Sequence, residues 1–353
     1  MRYFAQMLPN VGLAVRMIRE VGLERLYFHG KNNLLHNLFN PSQDNTSPII
    51  PNTYYIEPTY ACNRKCDGCQ WYFRNDGTVL DERIAHHVFD TAEGTGANYI
   101  ALIGGEPLLK PVRDITLGVS EDHPNVSVVL CTNGDFIDGT VGDRIAKAVN
   151  IVPFVSVDGN VRSHDLRRGS GSYDKAMEAM GILRKSDVMF GYSTTLTAQN
   201  WVEVTSFGFV DEMIRRGCLV SSYYLYLSND REDGLRPTPE QSALAMYRLG
   251  KIAMERPIYI LSTSFGRLGG RVKAGKRLMG MSIDPHGGVR TERGGQPIGQ
   301  ITHGNTLSDI IFDPKTQTIL SDKVAGCADA PSDSGRRDVQ QTTYELLNCL
   351  DRV

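Results

Sequence analysis

The sequence predicts an α/β fold built on a partial (β/α)6 barrel, with helices at its N-terminus and a small α+β module at its C-terminus. Between residues 53 and 228, short apolar segments alternate with segments of helical periodicity, the order that produces a parallel sheet with crossover helices. The 353 residues, 41% hydrophobic and 22% charged, suffice for one large core or two unequal domains. An open, doubly wound sheet is the competing architecture.

Changes in this pattern divide the chain into three regions. Residues 1–50 contain amphipathic helices, in "MRYFAQMLPNVGLAVRMIREVGLERLYFHG", and end in a linker rich in Pro, Ser, Asn and Asp. These helices are expected to pack on the main domain or a partner subunit, and docking to a membrane surface or a carrier is the alternative. Residues 51–230 form the barrel, and residues 231–353 form a C-terminal accessory module.

The barrel elements follow from periodicity. Strands are expected at residues 53–60, 99–109, 126–134, 151–159, 188–200 and 219–228. Helices are expected at residues 81–96, 143–149, 173–186 and 202–217, the last of which closes on Gly217 as a C-cap.

A different pattern begins after residue 230. A helix is expected at 238–256, with Thr238 as N-cap and Pro239 at its first position. Residues 277–313 predict short strands and glycine-rich turns followed by a small helix. A loop at 326–337 and a last helix at 338–350 complete the prediction.

Charge and cysteine usage exclude several classes of protein. The net charge of −2, from 38 basic and 40 acidic residues, predicts no attraction to nucleic acid or acidic lipid. No apolar run is long enough to predict a membrane-spanning helix, and the N-terminus lacks the features of a signal peptide. Seven cysteines, three of them crowded together, favour a reducing cytoplasm over a secreted disulfide framework.

Those three cysteines lie in "EPTYACNRKCDGCQWY", where Cys62, Cys66 and Cys69 follow a predicted strand with the spacing C-x₃-C-x₂-C. A structural zinc site needs four protein ligands, and this loop supplies three. Three thiolates suit an iron–sulfur cluster with one open iron, which can bind a small molecule. A zinc site and a chance clustering are the alternatives.

The same spacing, directly after a strand, resembles the signature of the radical S-adenosylmethionine (radical SAM) superfamily. Further stretches resemble that family's motifs, in its order, across residues 53–228: "GGEP" at 104–107, "CTNG" at 131–134, "VSVDG" at 155–159, "HDLRRGSGSYDKAMEAM" at 164–180 and "STTLTAQN" at 193–200. The resemblance implies a partial TIM-like barrel. It also implies a [4Fe–4S] cluster on the three cysteines, with S-adenosylmethionine chelating the fourth iron.

The resemblance also assigns residues to the cofactor. "GGEP", with Gly104, Gly105, Glu106 and Pro107, would bind its methionine end, because glycines allow a close backbone approach. Six residues are expected to contact the cofactor's carboxylate or ribose or to lie beside it at the barrel mouth: Asn133, Ser156, Asp158, Arg168, Ser193 and Thr195. The adjacent Arg167 is the alternative to Arg168, because the sequence does not separate the two. A guanidinium fork suits a carboxylate. Plain strand or turn roles are the alternatives for Ser193, Thr195, Asn133 and Asp158.

The C-terminal region resembles the opening of the SPASM/twitch domain, which carries an extra cluster in some radical SAM enzymes. The stretch "MSIDPHGGVRTERGGQPIGQITHGNTLSDII" has Thr291 where that domain has a cysteine. Only Cys327 and Cys349 follow, too few for an auxiliary cluster. The module is therefore expected to serve as a cluster-free lid or substrate-binding element.

The resemblance implies an enzyme whose 5′-deoxyadenosyl radical abstracts hydrogen from a substrate carbon. We expect a small-molecule substrate, such as a small metabolite or a carbohydrate-like natural product, in preference to a peptide. We also expect an external electron donor such as flavodoxin or ferredoxin. Epimerisation, dehydration, carbon–carbon bond formation and adenosyl addition are open outcomes. If the outcome is epimerisation, Cys327 is the candidate hydrogen donor. A peptide-modifying maturase and a non-catalytic, metal-stabilised binding protein are the alternatives.

Overall fold

The computed structural model describes residues 16, 19–20, 48–97, 99–227, 234–262, 280–291 and 295–329. Within these residues, ten strands form one sheet in the order β10-β9-β8-β1-β2-β3-β4-β5-β6-β7. Their bounds are β1 Thr53–Ile56, β2 Tyr99–Leu102, β3 Val128–Thr132, β4 Ile151–Ser156, β5 Gly191–Leu196, β6 Val220–Leu225, β7 Tyr259–Ser262, β8 Met281–Ile283, β9 Gly288–Arg290 and β10 Gly299–Gln300.

Helices connect and cover these strands. They are α1 Glu82–Thr95, α2 Val112–Asp122, α3 Gly139–Lys147, α4 Val161–Arg168, α5 Ser172–Lys185, α6 Trp201–Val204, α7 Phe207–Arg216, α8 Pro239–Glu255, α9 Leu307–Ile311 and α10 Pro314–Asp329. In the described part of the chain, no helix is long and apolar enough to cross a membrane.

The alternation of side chains along each strand separates two apolar layers. One face of the sheet packs on the helices and forms the main core, with Tyr54, Leu130 and Tyr192 fully buried. The opposite face carries a smaller cluster around Phe154, Leu219 and Val220. Strands β1 to β7 are parallel, so their carboxyl ends lie at one edge, where active sites of β/α barrels are found.

The fold agrees with the predicted class and extends it. All six predicted barrel strands are present, and a seventh parallel strand, β7, continues the sheet beyond β6. The sheet does not close, because β10 and β7 are its two ends. Both α2 and α4 were missed by the periodicity argument. The single helix predicted over 202–217 is wrong: it is two helices, since the Ser206 side chain caps a new helix at the Phe209 N–H.

The strands after residue 230 join this same sheet. β8 pairs in parallel with β1, and β9 turns back antiparallel to β8. The predicted loop at 326–337 is wrong at its start, because α10 continues through Cys327 to Asp329. The helix predicted at 338–350, with Cys349, lies outside the described residues. At the N-terminus, residues 16 and 19–20 are helical, and Arg16 Nη2 donates to the Ile214 carbonyl at 2.8 Å.

Candidate functional site

The cysteine loop leaves the carboxyl end of β1. A turn is formed where the Cys69 N–H donates to the Cys66 carbonyl at 3.1 Å, and the Arg64 N–H points to Cys62 Sγ at 3.5 Å. Gly68 has φ of 69°, and a Cβ there would lie 2.6 Å from Tyr226 Oη. Only glycine fits at this turn, because the backbone is left-handed and Tyr226, from beyond β6, presses against it.

A second set of contacts fixes the loop to the end of α4. The Asp67 N–H donates to the Arg167 carbonyl at 2.8 Å, and Arg64 Nη1 donates to the Arg168 carbonyl at 3.5 Å. Arg64 also forms an ion pair with Asp135. The loop with the three cysteines is therefore held at the ends of β1 and β3 and at the end of α4.

The thiols lie in a mixed environment. Burial raises the pKa of Cys62 to about 11 and raises the pKa of Cys66, which the guanidinium groups of Arg168 and Arg167 oppose. Metal ligation requires the thiolate, so nearby fixed cations favour the binding form. All three cysteines are half-buried and have free thiols.

These residues fit an iron–sulfur cluster. In the described part of the chain, the buried Arg64 Nε and Arg167 Nε have no hydrogen-bond partner; Arg64 lies within the loop, and Arg167 lies beside it at the end of α4. Two unpartnered cationic N–H groups suit an anionic group such as a thiolate-ligated cluster or a carboxylate. No group of three Cys, His, Asp or Glu residues within the described chain could hold a single metal ion. In a cubane cluster each thiolate binds its own iron, so the three sulfurs need not converge on one point.

The "GGEP" segment lies against the entry to the cysteine loop. The Gly105 N–H donates to the Thr59 carbonyl at 2.8 Å, and the Glu106 N–H donates to the Ala61 carbonyl at 2.9 Å. A Cβ on Gly105 would lie 2.0 Å from the Ala61 carbonyl oxygen. Gly104 has φ of 111°. The glycines thus allow backbone to meet backbone, a requirement independent of the cofactor that the sequence argument missed.

Glu106 is buried and faces three donors. Its carboxylate accepts from Thr132 Oγ1 at 2.7 Å, from the Asn133 N–H at 2.8 Å and from the Leu108 N–H at 3.0 Å. Burial raises the pKa of Glu106 to about 7, against the lowering effect of these hydrogen bonds. Its side chain therefore ties the end of β2 to the turn after β3, while Pro107, through its carbonyl, accepts from Thr116 Oγ1 at 3.0 Å.

Asp158, after β4, is the centre of a buried charge cluster. Its Oδ2 accepts from Arg167 Nη1 and from Arg168 Nε, both at 2.6 Å, and its Oδ1 accepts from the Thr195 N–H at 2.8 Å. Burial alone would raise the pKa of Asp158, but the two guanidinium groups hold it well below its usual range. Because both oxygens are engaged, the geometry favours an indirect contribution to the cofactor site by Asp158, through Arg167 and Arg168.

The remaining predicted residues lie at the same edge. Ser156 Oγ and Ser193 Oγ are 3.3 Å apart, across β4 and β5. Asn133 Nδ2 donates to Asn63 Oδ1 at 2.8 Å and lies 3.9 Å from Cys62 Sγ. The predicted cofactor residues thus lie at or near the carboxyl ends of β2 to β5, except Arg168, which lies at the end of α4.

Two positioning residues lie within motifs quoted above, but the sequence assigned no role to either of them. Asn200 is buried, and its Nδ2 donates to the carbonyls of Asp158 and Thr195, both at 3.0 Å. His164 is also buried, and its Nδ1 accepts the Asp158 N–H at 3.1 Å. Burial lowers the pKa of His164 to about 4, so the ring is neutral at neutral pH. The sequence signal for His164 was its spacing of four residues from Arg168, which places both side chains on the same face of a helix.

The side chain of Cys327 lies outside the described part of the structure. Its backbone lies in α10. Near the start of that helix, Gln317 Nε2 donates to the carbonyl of Ile49, a residue before β1, at 3.2 Å. The proposed donor role for Cys327 therefore loses the flexible loop on which it depended and stays a prediction.

Comparison with known proteins agrees with this geometry. The family model described as the Radical SAM superfamily matches residues 56–204. The AdoMet-dependent heme synthase of Methanosarcina barkeri is 30% identical over 154 residues, covering 42% of this chain and 44% of that protein. The pre-heme d1 synthase of Dinoroseobacter shibae is 28% identical over 173 residues, covering 47% of this chain and 42% of that protein. The chain thus spans less than half the length of these curated relatives.

Solved structures share the fold at low identity. SuiB of Streptococcus suis superposes with a TM-score of 0.64 at 14% identity, covering 88% of this chain and 82% of that chain. The enzyme anSMEcpe, bound to AdoMet and a peptide, superposes with a TM-score of 0.62 at 17% identity, covering 86% of this chain and all of that chain. At such identities the likeness concerns the architecture alone.

Proposed function

We propose that this chain, whose residues 56–204 match the radical SAM superfamily model, is a radical SAM enzyme that abstracts a hydrogen atom from a carbon of a small-molecule substrate. The observation that carries the proposal is the cysteine loop fixed at the carboxyl ends of the parallel strands, with two unpartnered buried guanidinium N–H groups beside it. A [4Fe–4S] cluster and S-adenosylmethionine, when bound together, supply a 5′-deoxyadenosyl radical.

The chain's own residues divide into ligands and supports. Cys62, Cys66 and Cys69 would hold the cluster, and Arg167 and Arg168 stabilise negative charge beside it. The backbone of Gly104 to Pro107 would receive the methionine end of the cofactor. Support comes from the rigid frame, because Glu106 ties that segment to the turn after β3.

A small polar pair would contribute at the other end of the cofactor. Ser156 and Ser193, in contact at the mouth of the sheet, can donate hydrogen bonds to a ribose hydroxyl or a carboxylate. Thr195 lies on the same strand, with its N–H already given to Asp158. The buried apolar cluster that contains Phe154 and Val220 would help exclude water from a reactive radical.

The small-molecule class is supported by relatives at the level of sequence. The two curated relatives are named for heme and pre-heme d1 synthesis, and their similarity extends over 154 and 173 residues of this chain. A carbohydrate-like natural product remains within this class. The peptide-bound structural neighbours share too little identity to favour a peptide. Epimerisation is one of several outcomes compatible with hydrogen abstraction.

The test begins with anaerobic reconstitution. Wild-type protein should bind about four irons per chain and, once reduced with dithionite, form 5′-deoxyadenosine from S-adenosylmethionine. Cys66→Ala should lose both properties, whereas the matched control Cys131→Ala, altered outside the loop, should keep both. Iron binding without any 5′-deoxyadenosine would favour the non-catalytic binding protein instead.

Substrate class is tested with a deuterated cell extract separated into small-molecule and peptide fractions. Deuterium should enter 5′-deoxyadenosine with the small-molecule fraction. Transfer from the peptide fraction alone would contradict the proposed substrate class and favour a peptide-modifying enzyme.

A further inference from the structure

An exposed groove lies on the outer side of the cysteine loop. Its volume is about 280 Å³, and its walls include Lys65, Cys66, Tyr72, Phe73, Leu166 and Arg167. Cys66 is one of the three cysteines assigned to the cluster. The groove therefore places one wall of the cluster site at the protein surface.

The apolar side chains around this groove are unusually exposed. Phe73 is 84% exposed, Leu166 is 77% exposed and Tyr72 is 40% exposed. They come from two separate segments, the 3-10 helix Tyr72–Arg74 and α4, so they form a composite patch. Exposed apolar patches with a charged rim are typical of sites for protein partners.

The rim has a surplus of positive charge. Lys65 Nζ lies 4.8 Å above the Tyr72 ring, and Arg74 lies over Trp71 at 5.5 Å. Arg162, exposed one helical turn before Leu166, adds a third cation on that face of α4. The exposed Asp67 lines the groove and offsets one of these cations, and the exposed Asp76 is bound by His286 at 2.8 Å. Such a rim fits an acidic partner.

We infer that this groove is the docking surface for the protein that reduces the cluster, a small acidic electron-transfer protein with its redox centre near its surface. This inference rests on the proposed function. One electron leaves the partner's reduced centre, which is thereby oxidised, and the oxidised [4Fe–4S]²⁺ cluster becomes [4Fe–4S]⁺. No atom or proton is exchanged. Cys66 is the ligand through which the groove meets the cluster.

The test measures cluster reduction directly by stopped-flow bleaching of its visible absorption. The electron donors are a reduced, acidic plant-type ferredoxin and, separately, dithionite, which needs no docking surface. Lys65→Glu should slow reduction by ferredoxin about tenfold or more at low salt, and Phe73→Ser and Leu166→Ser should each slow it several-fold. None should change the rate with dithionite.

Matched controls are available on α8. Lys251 lies over the Tyr247 ring at 4.8 Å, the same arrangement as Lys65 on Tyr72. Met254 is 64% exposed. In Lys251→Glu and Met254→Ser, the cluster should be reduced at the wild-type rate by either donor.

Three results would overturn the inference. Wild-type rates with ferredoxin in the groove variants would show that reduction occurs elsewhere and would leave the groove to another partner, such as a peptide. Equal slowing with dithionite would show damage to the cluster rather than lost docking. A wild-type chain that binds no iron would overturn the proposed function and this inference together. If the wild-type chain has normal iron content and forms 5′-deoxyadenosine, a negative result with the groove variants overturns only this inference.

Discussion

Two buried carboxylates flank the cysteine loop, and their surroundings differ. Glu106, after β2, is held by two backbone N–H groups and one hydroxyl, all neutral. Asp158, after β4, is held by two guanidinium groups and one backbone N–H. Burial dominates at Glu106 and raises its pKa to about 7, whereas the cations dominate at Asp158 and lower its pKa. The same degree of burial therefore gives a carboxyl near its titration point at one strand end and a permanent anion at another.

The strongest test of this contrast is Asp158→Asn. It leaves the Arg167 and Arg168 charges buried without their counter-ion, so we expect a loss of about 3–5 kcal/mol in the free energy of unfolding. Urea unfolding of the cluster-free protein measures it. The surface pair Arg144–Asp114, at 3.4 Å with Asp114 66% exposed, provides the control. Asp114→Asn should cost less than about 1 kcal/mol. Equal losses in the two variants would contradict the buried-charge account.

The titration of Glu106 gives the next largest effect. Its folded-state pKa is raised from 4.5 to about 7. The stabilisation it contributes is complete below about pH 4.5 and is lost as the pH rises through about 7. We therefore expect the free energy of unfolding to fall by about 3 kcal/mol over that range from this group. Asp158 should contribute no slope there, since its pKa lies below it.

Unfolding curves at intervals from pH 5 to 8 check this pH dependence. Glu106→Gln, which cannot ionise, should remove the slope even if it lowers stability at every pH. An unchanged slope in Glu106→Gln would mean that other groups carry it and that the hydrogen bonds keep Glu106 ionised.

A smaller effect on stability is expected from backbone packing at the end of β2, next to Glu106. Gly105→Ala should cost about 1–3 kcal/mol, because a Cβ would meet the Ala61 carbonyl at 2.0 Å. Gly181→Ala is the control: it lies within α5, and its Cβ would meet nothing within 4 Å. That substitution should stabilise by up to about 1 kcal/mol through helix propensity. A neutral Gly105→Ala would contradict the tight contact described here.

The smallest expected effect concerns Ser156 and Ser193. Loss of one hydrogen bond in Ser156→Ala should change stability by about 1 kcal/mol or less. If this pair contacts the cofactor, the Kd for S-adenosylmethionine should rise about fivefold, measured by equilibrium binding to the reconstituted protein. An unchanged Kd would leave these serines as plain strand residues.

The sequence predicted the repeating part of this fold because repetition leaves a local signal. The six strands and the long helices α1, α5 and α8 follow from periodicity, and the N-cap Thr238 is confirmed. The short helix α4 was missed because its sequence, "VRSHDLRR", is almost entirely polar and has no apolar stripe. The pairing of β8 with β1 joins segments more than two hundred residues apart, which no local pattern indicates.

The same distinction holds at the candidate site. The cysteines and "GGEP" could be located because they are short, linear motifs. The Asp158 cluster could be located only in part: Arg168 was assigned to the cofactor, but its ion pair with Asp158 depends on how α4 turns back over β4. The roles of Asn200 and His164 as buried braces also arise from tertiary contacts.

The hydrogen bonds between "GGEP" and the start of the cysteine loop have a consequence for protein engineering. The Ile103, Gly105 and Glu106 N–H groups donate to the carbonyls of Ile56, Thr59 and Ala61, at 2.9, 2.8 and 2.9 Å. Backbone hydrogen bonds thus join the two segments into one structural unit, although more than forty residues separate them in the chain. A chimera that exchanges the cysteine loop alone would leave a foreign backbone against Gly105, so recombination between relatives should carry residues 56–61 and 103–106 as one block.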